Sequence, residues 1–392
     1  MNPPTEPSLR PVGRRFALPL AGSSVFLAAA TGGLGLLVQL YLKQEGAPTI
    51  LISSVSSLGS AGALLGSLFW GRIADRSSRK LLLVLCGLGI TLGVGLLIPL
   101  PVDSIVLTSA FVRLFMNTGF AAVSMAIVSS ASATARRAKN LSYITSSRSM
   151  GFGIGSLASG FVLEYLGFRN AFVVMALLPM IGTSLLALLP GEPRPKPAER
   201  RPTLRIMRSA GLADLYASTM LRQLGITGTF SLLYVYMDGL GIAPGIMGTV
   251  SALNTLTQVG ALVVFGSVAD RIGRRRVFMF GFALSATIPL LVAFASNAAG
   301  MAAAYVTLGI SFSSLYIGST AHIGDRVPRD RQGTMLGLYE TSRGLGGFIG
   351  PIVAGAIAPA LGFFGMFLTM AAISGLGFAV MVTRRLIVRR VA

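Results

Sequence analysis

The sequence predicts an all-α membrane protein of twelve transmembrane helices arranged as two pseudo-symmetric six-helix bundles. Three observations carry this expectation: apolar stretches of spanning length recur twelve times, basic residues collect at alternate ends of them, and the second half repeats the first in a constant register. Composition removes the soluble alternatives. The 392 residues are 53% hydrophobic and 12% charged, against about a quarter charged in an ordinary soluble domain. A net charge of +20 would suggest nucleic acid if it formed one basic face. Here the basic residues stand in short clusters between apolar runs, so no nucleic-acid partner is expected. The partner that such apolar spans require is the lipid bilayer. No cofactor or metal is expected, and the chain reads as a monomer.

A bilayer core takes about 20 helical residues to cross. Such spans are placed at 17–42, 48–73, 80–100, 104–132, 141–166, 169–189, 211–237, 244–269, 276–296, 299–325, 334–360 and 364–383. KQEGAP after span 1 and DGLGIAP after span 7 supply glycine and proline to end one helix and begin the next. The organisation that follows is a tail (1–16), a first bundle (17–189), a linker rich in Pro and Arg (190–210), a second bundle (211–383) and a final tail (384–392). The paired Arg14 and Arg15 before span 1 could belong to a twin-arginine leader, but no small-residue cleavage site closes the run, and eleven more spans follow. They read better as a basic flank. The lone cysteine, Cys86, lies in an apolar run and has no thiol or zinc partner.

Basic residues mark the cytoplasmic side of a membrane protein. Of the 33, Lys43 and Arg169 fall at the opposite ends and Arg113, Arg148, Arg222 and Arg343 inside spans; all the others lie in the two tails, the linker and the loops after spans 2, 4, 8 and 10. Both termini are therefore expected in the cytoplasm, at the cell (inner) membrane.

The halves align without a gap at an offset of 195 residues. Tyr41 matches Tyr236, and Gly71, Ala74, Asp75, Arg76 and Arg79 match Gly266, Ala269, Asp270, Arg271 and Arg274. Arg148 matches Arg343, and Gly151, Gly155, Gly160 and Gly167 match Gly346, Gly350, Gly355 and Gly362. Apolar bias produces chance leucine matches, but not two Asp-Arg loops and a glycine ladder in one register.

GRIADRSSRK from Gly71 and GSVADRIGRR from Gly266 resemble the signature loop of the major facilitator superfamily, GxLaDRxGRR, at the two places where that family carries it. The resemblance covers nearly the whole chain and implies the major facilitator fold and a transporter. It also implies a latch in which Asp75 meets the start of span 11 and Asp270 the start of span 5, with the glycines allowing close helix approach; the plainer reading is a topology anchor. The first copy departs from the pattern at Ser78. GFGIGSLASG in span 5 and GGFIGPIVAG in span 11 are similar to the family's antiporter signature GxxxGPxxGG. Span 5 has Ser156 where the family has proline, and the closer copy, with Pro351, is in span 11. Both runs read equally as packing faces of small residues. RLFMNTG from Arg113 partly matches the family's span 4 signature RxxQGxG, which is associated with proton coupling, with Met116 in place of the glutamine.

Ionisable residues inside a membrane are costly and usually functional. Arg222 and Gln223 at mid-depth in span 7 are expected in the substrate cavity, with Arg113, Asn117, Gln39, Tyr41, Tyr234, Asn254 and Gln258. Arg148 and Arg343, with Glu340 one turn before Arg343, are expected to make gate-closing pairs with Asp75, Asp270 or Glu340. His322, beside Asp325, reads as an interfacial polar residue or a titrating one. No carboxylate falls at mid-depth in spans 1 or 4. Two functions remain open: a proton-driven exporter of small amphipathic molecules, and a carrier of an anionic metabolite held by intramembrane arginines. There is no phosphate-binding loop, metal cluster or nucleophile triad, so an enzyme is not expected.

Overall fold

A computed structural model of the chain describes residues 14–73, 77–100, 102–131, 134–189, 212–327 and 332–391. The described residues form eleven helices and no strand: α1 Arg14–Gln44, α2 Thr49–Ile73, α3 Arg79–Gly95, α4 Asp103–Ala131, α5 Thr134–Ala187, α6 Ala213–Ser231, α7 Leu233–Gly239, α8 Pro244–Ile272, α9 Arg274–Phe294, α10 Ala298–Arg326 and α11 Gln332–Val391. Eight are long and apolar enough to cross a bilayer. Within α5 and α11 the apolar stretches run 46 and 50 residues, twice what one crossing needs. Each breaks at a glycine with positive φ, Gly167 (φ 76°) and Gly362 (φ 66°), so each holds two spans. Helices α6 and α7 together form one, and twelve crossings result.

Several boundaries differ from the sequence reading: α5 begins at Thr134, before the expected 141, and α11 runs to Val391, beyond the expected 383. Span 3, expected to reach residue 100, leaves its helix at Gly95 and continues in tight turns to Leu100, which has positive φ (54°). Span 7, expected unbroken over 211–237, breaks at Leu232 (φ −125°, ψ 9°). Its apolar period continues through the break, so hydropathy alone does not reveal it.

The turns after spans 1 and 7 bend at Gly46 (φ 75°) and Gly241 (φ 73°), a conformation that glycine adopts without penalty. They lie on one side of the molecule, called here the turn face. Among the described residues, Arg79, Lys80, Arg271, Arg274 and Arg326 lie at the other ends of the helices, on what is called here the basic face.

Inside each half, span 1 packs along span 5 and span 7 along span 11. Lipid offers no hydrophobic drive between helices, so close backbone packing carries this association. A Cβ at Gly151 or Gly155 would collide with the carbonyl oxygens of Val25 or Ala29; at Gly346 or Gly350 it would strike those of Met220 or Leu224. These four partners also stand 195 residues apart. Ser156, where the family pattern has proline, donates to the Gly32 carbonyl at 3.2 Å, tying span 5 to span 1.

Across the halves, span 5 lies on span 8 and span 11 on span 2. Gly160 abuts the backbone of Pro244 and Gly245, and Gly355 that of Thr49 and Ile50, again in register. Thr49 Oγ1 donates to the Gly355 carbonyl at 3.0 Å, and Glu164 Oε2 accepts from the Gly245 amide at 2.8 Å. These approaches run from the turn face toward the middle, as far as Gly344 against Leu64 and Ser149 against Gln258.

Candidate functional site

The two mid-depth arginines sit where spans 4 and 7 carry them, ten residues beyond Asp103 in α4 and nine beyond Ala213 in α6, roughly 15 Å from opposite faces. Both are buried, at 5% exposure. Arg113 lies over Gly93 of span 3, where a Cβ would meet its Cγ at 2.6 Å. Its Nε donates to Ser109 Oγ at 3.1 Å, and Ser109 donates to the Gly93 carbonyl at 2.6 Å. Arg222 donates through Nε to Ser285 Oγ at 2.9 Å and through Nη1 to Gln223 Oε1 at 2.9 Å. Ser285 lies 2.6 Å from Ser311 Oγ, which donates to the Gly281 carbonyl at 3.0 Å.

These partners of the two guanidinium groups are all neutral, and among the described residues neither arginine makes an ion pair. The pairs described are Lys43–Asp238, Arg274–Asp325 and Arg343–Glu340. An arginine at the centre of a membrane helix costs roughly 2.5–3.5 kcal/mol on insertion scales. Hydrogen bonds from a charged donor to neutral acceptors, at about 1.5–3 kcal/mol each, offset this cost. The remaining N–H groups are left for water or for an anionic group on a solute.

Arg113 opens on a cavity of about 270 Å³ between spans 1, 2 and 4, lined by Gln39, Val55, Ser56, Ser60 and Leu114 among others. Of the residues expected to line a cavity, Arg113 and Gln39 meet here. Gln39 also reaches the other half: Nε2 donates to the Phe230 carbonyl at 3.1 Å, and Oε1 accepts from the Tyr234 amide at 3.1 Å. These are the backbone groups freed by the break at Leu232, so a side chain from the first half supplies what the broken helix lacks. Tyr234 is buried. Asn254 carries a buried Oδ1 that has no partner among the described residues. Gln258 accepts from Ser149 across the halves at 3.4 Å, and Asn117 is partly buried in α4. The structure sets Tyr41 apart from this cavity: it is at the turn face, edge-on to Phe168 and Phe172 with ring centroids 5.7 Å away.

The signature loops are described only in part. Asp75 and Arg76 and the side chain of Asp270 lie outside the described residues, as do the latch contacts expected of them. Gly71 stands in the last turn of α2. Among the described residues, no atom of another helix lies within 4 Å of a Cβ built on Gly266, and the close approaches lie elsewhere on the helix, at Gly245 and Gly248. Arg271 is exposed, and Arg274 pairs with Asp325. Arg343 pairs with Glu340 on its own helix, both carboxylate oxygens lying 2.9–3.0 Å from Nη1. His322 packs on Phe278, ring centroids 5.0 Å apart.

Sequence reasoning missed the contact between Lys43 and Asp238, which closes the turn face between the halves. The signal was present. The two stand 195 residues apart, and equivalent positions near a pseudo-dyad face one another, so opposite charges there form a pair. Ser109, Ser285 and Ser311 were also missed, because a serine in an apolar span has no pattern that distinguishes a guanidinium acceptor from a packing residue.

Comparison with known proteins places this geometry in a wider set. The Major Facilitator Superfamily model matches residues 20–213 and 215–391. The multi-drug resistance efflux pump PmrA of Streptococcus pneumoniae serotype 4 is 22% identical over 322 residues, 79% of this chain and 80% of its own. Multidrug resistance protein MdtG of Citrobacter koseri is 22% identical over 390 residues, 94% of both chains. A crystal structure of nucleoside transporter NupG superposes with a TM-score of 0.76 at 12% identity, covering 94% of this chain and 98% of that one.

Proposed function

The chain belongs to the major facilitator superfamily of membrane transporters, and from that premise we propose that it is a secondary active exporter of small amphipathic molecules, driven by protons through alternating access. One observation carries the reading. Two bundles, each rigid along its glycine ladder, meet through pseudo-equivalent approaches at Gly160 and Gly355 that share the turn face, so rocking about the centre exposes the Arg113 cavity to either side in turn. The basic face is cytoplasmic by the distribution of arginine and lysine, so both termini lie inside the cell and the Lys43–Asp238 contact outside. The names of PmrA and MdtG support multidrug export as the substrate class. The chain works as a carrier, with no chemistry performed on the solute.

Purified protein in proteoliposomes is expected to move a lipophilic dye faster when a pH gradient is imposed. A flux that ignores the gradient in both directions would remove proton-driven export. Arg113 and Arg222, held by neutral partners, favour a second reading, a carrier of carboxylate or phosphate compounds bound by bidentate guanidinium contacts. That reading expects Arg222→Ala and Arg113→Ala each to weaken anion binding at least tenfold, and fails if affinity for every anion tested is unchanged.

A further inference from the structure

We propose that Glu340, together with the stacked rings of Phe312 and Tyr316, forms a binding site for a lipophilic organic cation, and that the guanidinium of Arg343 occupies this site in the present structure. The proposal deepens the exporter reading above and rests on it.

Three features meet at one place. Both carboxylate oxygens of Glu340 hold Arg343 Nη1, at 3.0 and 2.9 Å. The Arg343 Cζ lies 5.6 Å from the centroid of the Phe312 ring, within range of a cation–π contact. The Phe312 and Tyr316 rings stack at 6.0 Å with an 11° tilt, extending the π surface along α10. A carboxylate beside a broad aromatic face is what recognises a delocalised or quaternary cation: the acid supplies charge, and the rings supply an apolar face that an ammonium in water lacks.

The position is open to a solute. Glu340 keeps 54% of its side chain exposed and Arg343 26%. One and two turns further along α11, a Cβ built on Gly344 or Gly347 would lie 3.0 Å from Leu64 or Ser60 of span 2. Residues three to four apart share a helix face, so Glu340 points toward the junction of the halves on the basic side of their last described contact. An exposed pair within one helix is weak, so a bound cation with better ring contact can displace the guanidinium.

The internal repeat argues separately. By the offset of 195, Arg343 corresponds to Arg148, Glu340 to Thr145 and Phe312 to Asn117. The arginine is common to both halves, whereas the acid and the ring occur only in the second. A purely structural arginine does not need them, since Arg148 does without.

The test is equilibrium binding of tetraphenylphosphonium to the full chain in lipid nanodiscs. Arg343→Gln should bind at least tenfold tighter than wild type, because the competing internal cation is gone. Glu340→Gln should bind at least tenfold weaker, and Phe312→Leu several-fold weaker. Thermal unfolding checks that each variant is folded; Glu340→Asp, which keeps the charge, should retain most binding, and Glu340→Ala takes the place of the glutamine variant if that fails to fold. Weaker cation binding in Arg343→Gln, or binding that ignores all three substitutions, overturns the site even where proteoliposomes still carry flux. Absent flux of any solute, with binding that responds as expected, keeps the site and overturns the exporter reading.

Discussion

Met175 wedges its sulfur beside Gly33 in the first half, and Met370 does the same beside Gly228 in the second; Gly155 and Gly350 complete the two contacts. Tyr41 stands edge-on to Phe168 and Phe172, and Tyr236 packs on Phe363 and Phe367, with centroids 5.1–5.7 Å apart in both clusters. Every pair of partners is offset by 195. The polar interior follows no such rule. Arg222 corresponds to Leu27, Ser285 to Ile90, Ser311 to Met116 and Arg113 to Leu308. The difference teaches which contacts define the fold. Along the seams where Gly151, Gly155 and Gly160 and their counterparts Gly346, Gly350 and Gly355 meet backbone, both copies keep glycine, whereas Gly62, against the Phe111 carbonyl, has Thr257 as its counterpart. Where a side chain faces the interior cavity, the neighbouring volume tolerates change, and the halves have specialised.

That comparison breaks or sharpens on three sets of substitutions, beginning with the largest effect. Gly155→Leu and Gly350→Leu each force a side chain into a carbonyl of the adjacent span, at a cost of about 3 kcal/mol or more. Both should lose the folded, monodisperse protein in size-exclusion and thermal-unfolding measurements. Gly375→Leu, where among the described residues no atom lies within 4 Å of the added Cβ, should survive. If only one member of the pair is damaging, the two ladders are not equivalent.

Lys43 and Asp238 occupy equivalent positions and yet carry opposite charges, which lets the turn face close on itself. Replacing both with cysteine and bridging them with a bis-methanethiosulfonate, each thiol displacing methanesulfinate, should lower solute flux at least tenfold without unfolding the protein, and reductive cleavage should restore it. Cys86 is fully buried and stays out of the reaction. Undiminished flux in the bridged protein would show that this face does not open during transport.

The smallest effect concerns the specialised polar groups. Ser109→Ala and Ser285→Ala each remove the acceptor of a buried arginine Nε, and each should cost about 1–3 kcal/mol in unfolding free energy. Replacing Ser285 leaves Arg222 with Gln223 and should also alter solute affinity. An unchanged midpoint in both variants would mean that water already serves these guanidinium groups.

Much of this was legible in the sequence. The spans, the turns at Gly46 and Gly241, the duplicated register and the glycine ladder all follow from local rules of length, conformational permission and repetition. Arg113, Arg222 and Gln39 stood out because polar groups in lipid are expensive. Other features were not legible. The break at Leu232 lies in an unbroken apolar run, because a side chain 191 residues away from Phe230 makes it tolerable. Tyr41 looked like a cavity residue by its polarity, yet its ring belongs to an aromatic cluster at the turn face. Glu340 was read as a gate partner, and only its distance to Arg343 and the ring of Phe312 gives it a second chemistry.

By itself the sequence determined that twelve helices cross a bilayer as two copies of one unit, because spanning length, charge at the ends and the glycine repeat are properties of residues near one another in the chain. The tertiary structure alone decided which polar groups meet between the copies and which meet beside an aromatic face: Gln39 with the broken span, Lys43 with Asp238, and Arg343 with Glu340 beneath Phe312. Such meetings depend on helix phase and on the close approach of helices distant in sequence. A difference of one residue in register would turn each of these side chains toward another neighbour.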